Sequence, residues 1–292
     1  MSYTIITDTS ANLPSAYLRR HDIEVIPFSY FYDSEEHTCL DTEAWDGEEY
    51  YSAIRKGLRV TTSQITPQRY EDRFRPILES GHDLLYIGMS SGISGAFHSS
   101  QIAARSLRTE FPDRRIEVLD TLGASLGEGL VVMRAVGYRD GGVSIDDAVL
   151  RLRELRRRIC QIFTVDDLMF LRRSGRVSSV SAVVGSVLGI KPLLRGDEHG
   201  KIINYGTVRG RRRALRTLAE RFDETALYPE RQTVGIAHAG VPDDAQELAE
   251  LISRSVPPRE ILTVCYEPVT GAHVGPGTVA LFFEGDEGVR LV

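Results

Sequence analysis

The sequence predicts an α/β protein of two domains. The N-terminal domain is a mostly parallel sheet with flanking helices, and the C-terminal one is a mixed α/β domain. Three observations carry this prediction. Over the first half, short apolar runs alternate with helical patterns, the order that a parallel sheet covered by helices produces. In the second half, Asp197-Glu198-His199-Gly200 separates two strand-like runs, a hairpin signal that implies antiparallel pairing. Polar loops follow Thr7, Gly88 and Leu119, at strand C-termini, where open α/β sheets bind ligands. The boundary is placed near residue 160, which divides the chain into 1–160 and 161–292.

Taken in order, residues 3–7 read as the first strand, 13–20 as a helix, and 23–26 as a second strand that the aromatic run 28–32 extends. Residues 43–56 read as a helix stopped by Gly57. Residues 61–64 are a polar cluster, after which Thr66 as N-cap and Pro67 at the first helical position open a helix to residue 79. The apolar run 84–88 is a buried strand, 116–119 another, and 125–139 a helix stopped by Gly141 and Gly142. Ser144 with Asp147 resembles a capping box for a helix to residue 158. Beyond it come a strand at 161–164, a helix at 166–173 and a weakly polar helix at 181–188. The hairpin strands are 191–195 and 201–208; helices at 211–222 and 242–254 and strands at 233–238, 261–266 and 278–283 complete the chain, with 271–277 as a loop.

Composition narrows the function classes. A chain of 292 residues with a net charge of −6 is not one that coats nucleic acid. Its three cysteines, Cys39, Cys160 and Cys265, are too few and too widely spaced for a disulfide framework or a zinc site. The N-terminal residues lack a basic segment followed by a long apolar core, and the weakly polar run 177–190 is too short to cross a bilayer. A soluble, cytoplasmic protein without metal or cofactor is expected.

The stretch 84–104 organises the candidate site. A strand enters a loop containing Ser90, Ser91, Gly92, Ser94 and Gly95, and the loop enters a helix. Free backbone N–H groups, the positive end of the helix dipole and serine hydroxyls make such a loop an anion site. The glycines fit neither a dinucleotide fingerprint nor a P-loop. His273 sits in the glycine-rich segment 271–277, where a rigid loop would hold it against a ligand. Ser94 and His273 together could serve a hydrolase as nucleophile and base, but no acidic third member stands at a recognisable spacing and no G-x-S-x-G elbow is read. Arg209-Gly210-Arg211-Arg212-Arg213 opens a helix against the dipole preference and so faces an anion or an acidic partner. Asp166 and Asp167 read as helix caps.

Several of these stretches occur together and in order. They are Asp8-Thr9-Ser10, Thr62-Ser63-Gln64, Ser94-Gly95, Leu171-Arg172-Arg173-Ser174-Gly175-Arg176, Ile190-Lys191-Pro192, Val208-Arg209-Gly210 and His273-Val274-Gly275-Pro276-Gly277. In this the chain resembles the DegV family of bacterial fatty-acid-binding proteins over nearly its whole length. The resemblance implies one long-chain fatty acid held between two α/β domains, as ligand rather than cofactor. It implies that Thr62 and Ser94 hold the carboxylate with His273 nearby, and that Ser63, Gly95 and Gly275 support the loops. It places Arg209 and Arg176 near the head group or on a partner surface, the partner being a separate ATP-dependent fatty-acid kinase. Peripheral membrane contact is compatible with such a ligand. The chain departs from the family pattern at Ala96, where threonine is usual, at Ser174, where glycine is usual, and at Ile65, where proline is usual; the loss at Ala96 removes one hydroxyl.

Overall fold

A computed structural model describes residues 3–177 and 189–291. The expected helix at 181–188 lies outside the described residues.

The first half builds β1 (Tyr3–Asp8), α1 (Ser15–Arg20), β2 (Ile23–Ile26), β3 (Ser29–Tyr32), β4 (Glu35–Thr38), α2 (Gly47–Arg55), β5 (Thr61–Ser63), α3 (Pro67–Glu79), β6 (Asp83–Gly88), α4 (Ala96–Glu110), β7 (Ile116–Asp120), α5 (Leu126–Asp140) and α6 (Ile145–Arg158). Strands β2, β1, β6 and β7 pair in that order, all parallel. β1 and β6 bury nearly every residue, as parallel strands covered on both faces do. The caps are those the sequence specifies: Thr66 accepts from Arg69 N with Pro67 at the first position of α3, and Ser144 accepts from Asp147 N at α6.

One expectation fails here. Residues 28–32 do not extend β2; they form β3, which pairs antiparallel with β4 and β5 in a separate three-stranded sheet. Pro27 lies between the two strands and has no N–H to continue a ladder. The polar cluster at 61–64 thereby becomes an edge strand, with Tyr30 opposite Thr62.

The second half adds β8 (Ile159–Thr164), α7 (Met169–Arg173), β9 (Ile190–Gly196), β10 (Ile202–Arg209), α8 (Arg211–Thr225), β11 (Thr233–His238), α9 (Pro242–Ile252), β12 (Glu260–Cys265), α10 (Pro268–Val274) and β13 (Val279–Glu284). Its sheet runs β10-β9-β8-β13-β11-β12 and is antiparallel except for β11 with β12. Helix α5 packs between the two main sheets, touching β1 and β6 on one side and β8, β11 and β13 on the other. That position explains why Leu126–Val132 is buried on every face. The hairpin between β9 and β10 reaches across to the β6 loop, where Ser90 Oγ donates to Gly200 O at 2.8 Å. No described helix is long and apolar enough to cross a membrane.

The segment 271–277 is not a loop as expected. Helix α10 runs through Pro268–Val274 and ends at Gly275, whose φ of 79° suits glycine. Its N-cap is the buried Glu267, which accepts from Val269 N at 2.7 Å and Thr270 N at 2.6 Å. Asn12 ties this start to the first half, accepting from Glu267 N and donating to Cys265 O. Gly271 sits inside the helix because the Tyr51 hydroxyl lies where its Cβ would be. The glycines that suggest a loop in the sequence thus answer two separate demands, a close approach and a helix end.

Candidate functional site

Loops and helix ends from both halves surround one cavity with about 890 Å³ of atom-free space. Its wall is mostly apolar, including Phe28, Met89, Ile93, Phe163, Val269 and Phe282. Its polar groups include Thr62, Ser63 and Gln64 from β5 and the residue after it, Ser94 and Gly95 before α4, His273 on α10, and Arg176 after α7. A second, open groove of about 1640 Å³ shares Thr62, Arg176 and His273 with it and adds Arg59 and Arg173. The Thr62–His273 pair therefore stands where an apolar cavity meets an arginine-lined groove.

Thr62 Oγ1 and His273 Nε2 lie 2.8 Å apart, joined across 211 residues of sequence. His273 is held well below the ordinary histidine range, at about 4, first by burial and then by the charge of Arg176. At neutral pH its ring is uncharged. Arg176 is half-buried, its Nη1 donates to Ser174 O at 2.5 Å, and no carboxylate pairs with it among the described residues. Burial lowers its pKa too. A desolvated cation without a counter-ion beside a neutral donor is an environment suited to an anion.

Ser94 lies on the same wall. Its Oγ accepts from Ala96 N at 3.2 Å, which leaves its own hydrogen for another partner. Gly95 is the N-cap of α4 and lies against the Gln64 amide. Gly275 packs over the Phe170 ring and fixes the end of the helix that carries His273. Arg209 stands exposed at the end of β10 and lines neither the cavity nor the groove. Arg211, from the same basic run, pairs with Asp244 at 2.8 Å and with Asp166 at 3.7 Å, so it faces acids within the chain. Asp167 caps Met169 N as expected, whereas Asp166 binds Lys191 at 2.6 Å.

The loop after β1 does not reach the cavity wall. Asp8 and Ser10 are fully buried instead. Ser10 Oγ lies 2.6 Å from Asp8 Oδ1 and 2.5 Å from Glu128 Oε2; Thr7 also bonds Glu128, and Tyr86 donates to Asp8 at 2.7 Å. Burial raises both carboxyl pKa values, Glu128 well above its usual range.

The G-x-S-x-G spacing is in fact present twice, at Gly88-Met89-Ser90-Ser91-Gly92 and at Gly123-Ala124-Ser125-Leu126-Gly127. Ser90 is taken up by the hairpin contact, whereas Ser125 sits on a strand-to-helix turn in the cavity wall. His273 bonds Thr62, and no hydrogen bond joins it to Ser94 or Ser125 among the described residues. Gln161, also on the wall, gives no sequence signal beyond being a polar residue inside a mostly apolar strand.

The family model described as uncharacterised proteins of the DegV family matches residues 2–286. The chain belongs to the DegV family. A DegV domain-containing protein of Clostridium perfringens is 35% identical over 284 residues, which cover 97% of this chain and 98% of that one. Among solved structures, a fatty-acid-binding DegV family protein from Thermus thermophilus superposes with a TM-score of 0.88 at 30% identity, covering 98% of this chain and all of that one. A fatty-acid-binding DegV protein from Streptococcus agalactiae gives a TM-score of 0.85 at 28% identity over 98% of this chain and 99% of its own. The α/β architecture is that of these DegV structures.

Proposed function

We propose that this chain binds one long-chain fatty acid between its halves, 1–160 and 161–292, and presents it to a separate ATP-dependent kinase for acyl-phosphate formation. The carboxylate is held by the hydroxyls of Thr62 and Ser94. One observation carries the reading: the Thr62–His273 pair stands at the polar end of an apolar cavity, beside an arginine that lacks an acidic partner among the described residues. With His273 neutral and its Nε2–H donating to Thr62, the threonine proton is directed at the ligand. Arg176 supplies the opposing charge. The fatty-acid-binding relatives from Thermus thermophilus and Streptococcus agalactiae support the ligand class.

The tail supplies most of the affinity. A chain of about 14 methylenes at roughly 0.8 kcal/mol each gives on the order of 11 kcal/mol gross, from which association costs are subtracted. The head group sets orientation, so the carboxyl faces the open groove lined by Arg59 and Arg173, through which a phosphoryl donor reaches it. The hydrolase alternative with Ser94 and His273 is less well supported, because the histidine nitrogen meets Thr62 and the serine oxygen meets a backbone N–H.

Native mass spectrometry of protein purified from cells tests the reading. One fatty acid per chain is expected, with exchange for added palmitate. Protein that carries none and does not take up palmitate would reject it.

A further inference from the structure

Ser125 carries features that the carboxylate site does not use. It stands at the turn from β7 into the 15-residue helix α5, with φ 54° and ψ −141°. That conformation lies near the first central position of a type II′ turn, which glycine normally fills. Other non-glycine residues at positive φ, such as Asn12 and Tyr228, take the left-handed helical ψ that an L-residue tolerates more readily. The strained turn is held from outside: Gln161 Oε1 accepts from Ala124 N at 3.3 Å, and its Nε2 donates to Leu122 O at 3.2 Å. Ser125 is 1% exposed, and its hydroxyl has no hydrogen-bond partner among the described residues. The neighbouring serines Ser90, Ser91 and Ser94 all bond protein atoms. Ser125 also lines the cavity, on a wall that includes Phe163 and Phe282.

We propose that Ser125 is a second polar point in the cavity that recognises an oxygen carried along the acyl chain, so that the ligands include long-chain hydroxy or oxo fatty acids. This rests on the fatty-acid reading above. A plain alkyl chain beside Ser125 leaves a buried donor and its lone pairs without partners, a costly state. A chain oxygen within reach supplies the partner. Strain at a residue that glycine would occupy freely is retained where the side chain is used. The hydroxyl is not an activated nucleophile, because no histidine or carboxylate takes its proton.

The test is calorimetric titration of the wild type, Ser125→Gly and Ser125→Ala with stearic acid and a positional series of hydroxystearic acids. In the wild type at least one isomer is expected to bind tenfold or more tightly than the rest of the series. That preference is lost in both variants, while stearic acid still binds. Ser125→Gly keeps the turn and melts at or above the wild-type temperature, so it remains a folded test if Ser125→Ala does not. An isomer ranking that is flat in the wild type, or unchanged in Ser125→Gly, overturns the subsite and leaves the fatty-acid reading standing. Failure of the folded wild type to bind stearic acid overturns both.

Discussion

Two buried polar clusters in this molecule use similar residue types and end in opposite states. Around Asp8, Ser10 and Glu128, the hydroxyls of Thr7, Tyr70 and Tyr86 close every contact within the protein. Around Thr62, Ser94 and His273, the groups line the wall of the cavity. The closed cluster holds two carboxyls and, among the described residues, no cation. Ser10 has one hydrogen for two carboxyl groups, so one carboxyl must keep its own proton, and burial favours Glu128 for that role. The open cluster holds a cation and, among the described residues, no carboxylate. The difference separates architecture from function. A satisfied network fixes the fold, whereas unspent donors beside an unpaired charge await a ligand.

That contrast can be broken experimentally. The largest effect is expected in the closed cluster. Glu128→Ala should destabilise the protein by about 3–5 kcal/mol in urea melts, because it opens a cavity in the interior and removes one hydrogen bond each from Thr7 and Ser10, which keep only Ile87 O and Asp8 as partners. Glu128→Gln should keep most of the stability, and neither change should move fatty-acid affinity more than about twofold in folded protein. If Glu128→Ala is neutral, the network is not structural. Next comes the acid response of the open cluster. His273 has a folded pKa of about 4 against 6.5 unfolded, so between these values the unfolded chain binds the extra proton. Stability should therefore fall as pH drops through that window, by on the order of 3 kcal/mol. His273→Gln should remove this component. Identical pH profiles for the two proteins would place the ring in a more solvated setting than its burial indicates.

Smaller effects follow at the ligand. Thr62→Ala and Ser94→Ala should each lower fatty-acid affinity about tenfold or more, since a hydrogen bond to a charged group contributes roughly 1.5–3 kcal/mol. Their melting temperatures should change little. Unaltered titration curves would remove both from the head-group site. The smallest binding effect is expected at Arg209. Arg209→Ala should leave fatty-acid affinity within twofold while raising the concentration of this chain that the proposed kinase needs. A loss of ligand as severe as that of Ser94→Ala would assign Arg209 to the carboxylate instead.

Much of this architecture is legible in the residues. The alternation over 1–160 encodes the parallel sheet because each strand must be covered on both faces. Thr66-Pro67 and Ser144 mark helix starts since their side chains and ring meet local backbone needs. What escapes is set by distant partners. The 28–32 run reads as more of β2 until β4 and β5 claim it. Helix α10 looks like a loop because Gly271 answers to Tyr51, about 220 positions away in the chain, a distance no local pattern reports. The site follows the same rule. Ser94 and His273 carry local signals, a serine-glycine loop before a helix and a glycine-rich segment, whereas Thr62 and Arg176 carry none, and only the order of motifs along the family pattern groups the four. Ser125 carried its signal in Gly123-Ala124-Ser125-Leu126-Gly127, but the strain that makes it notable is a property of the backbone.

The hydrogen bond between Thr62 and His273 also sets a schedule. At roughly 5–20 residues per second of synthesis, the 211 positions between them take about 10–40 s to emerge. For that interval a nascent chain carries its serine loop and threonine strand with no histidine to align them. Asn12, which anchors the start of α10 at Glu267, waits longer still, across 255 positions. The binding chamber is thus among the last parts of the molecule to exist. A ribosome-bound fragment ending before α10 should hold its first sheet and yet retain no lipid.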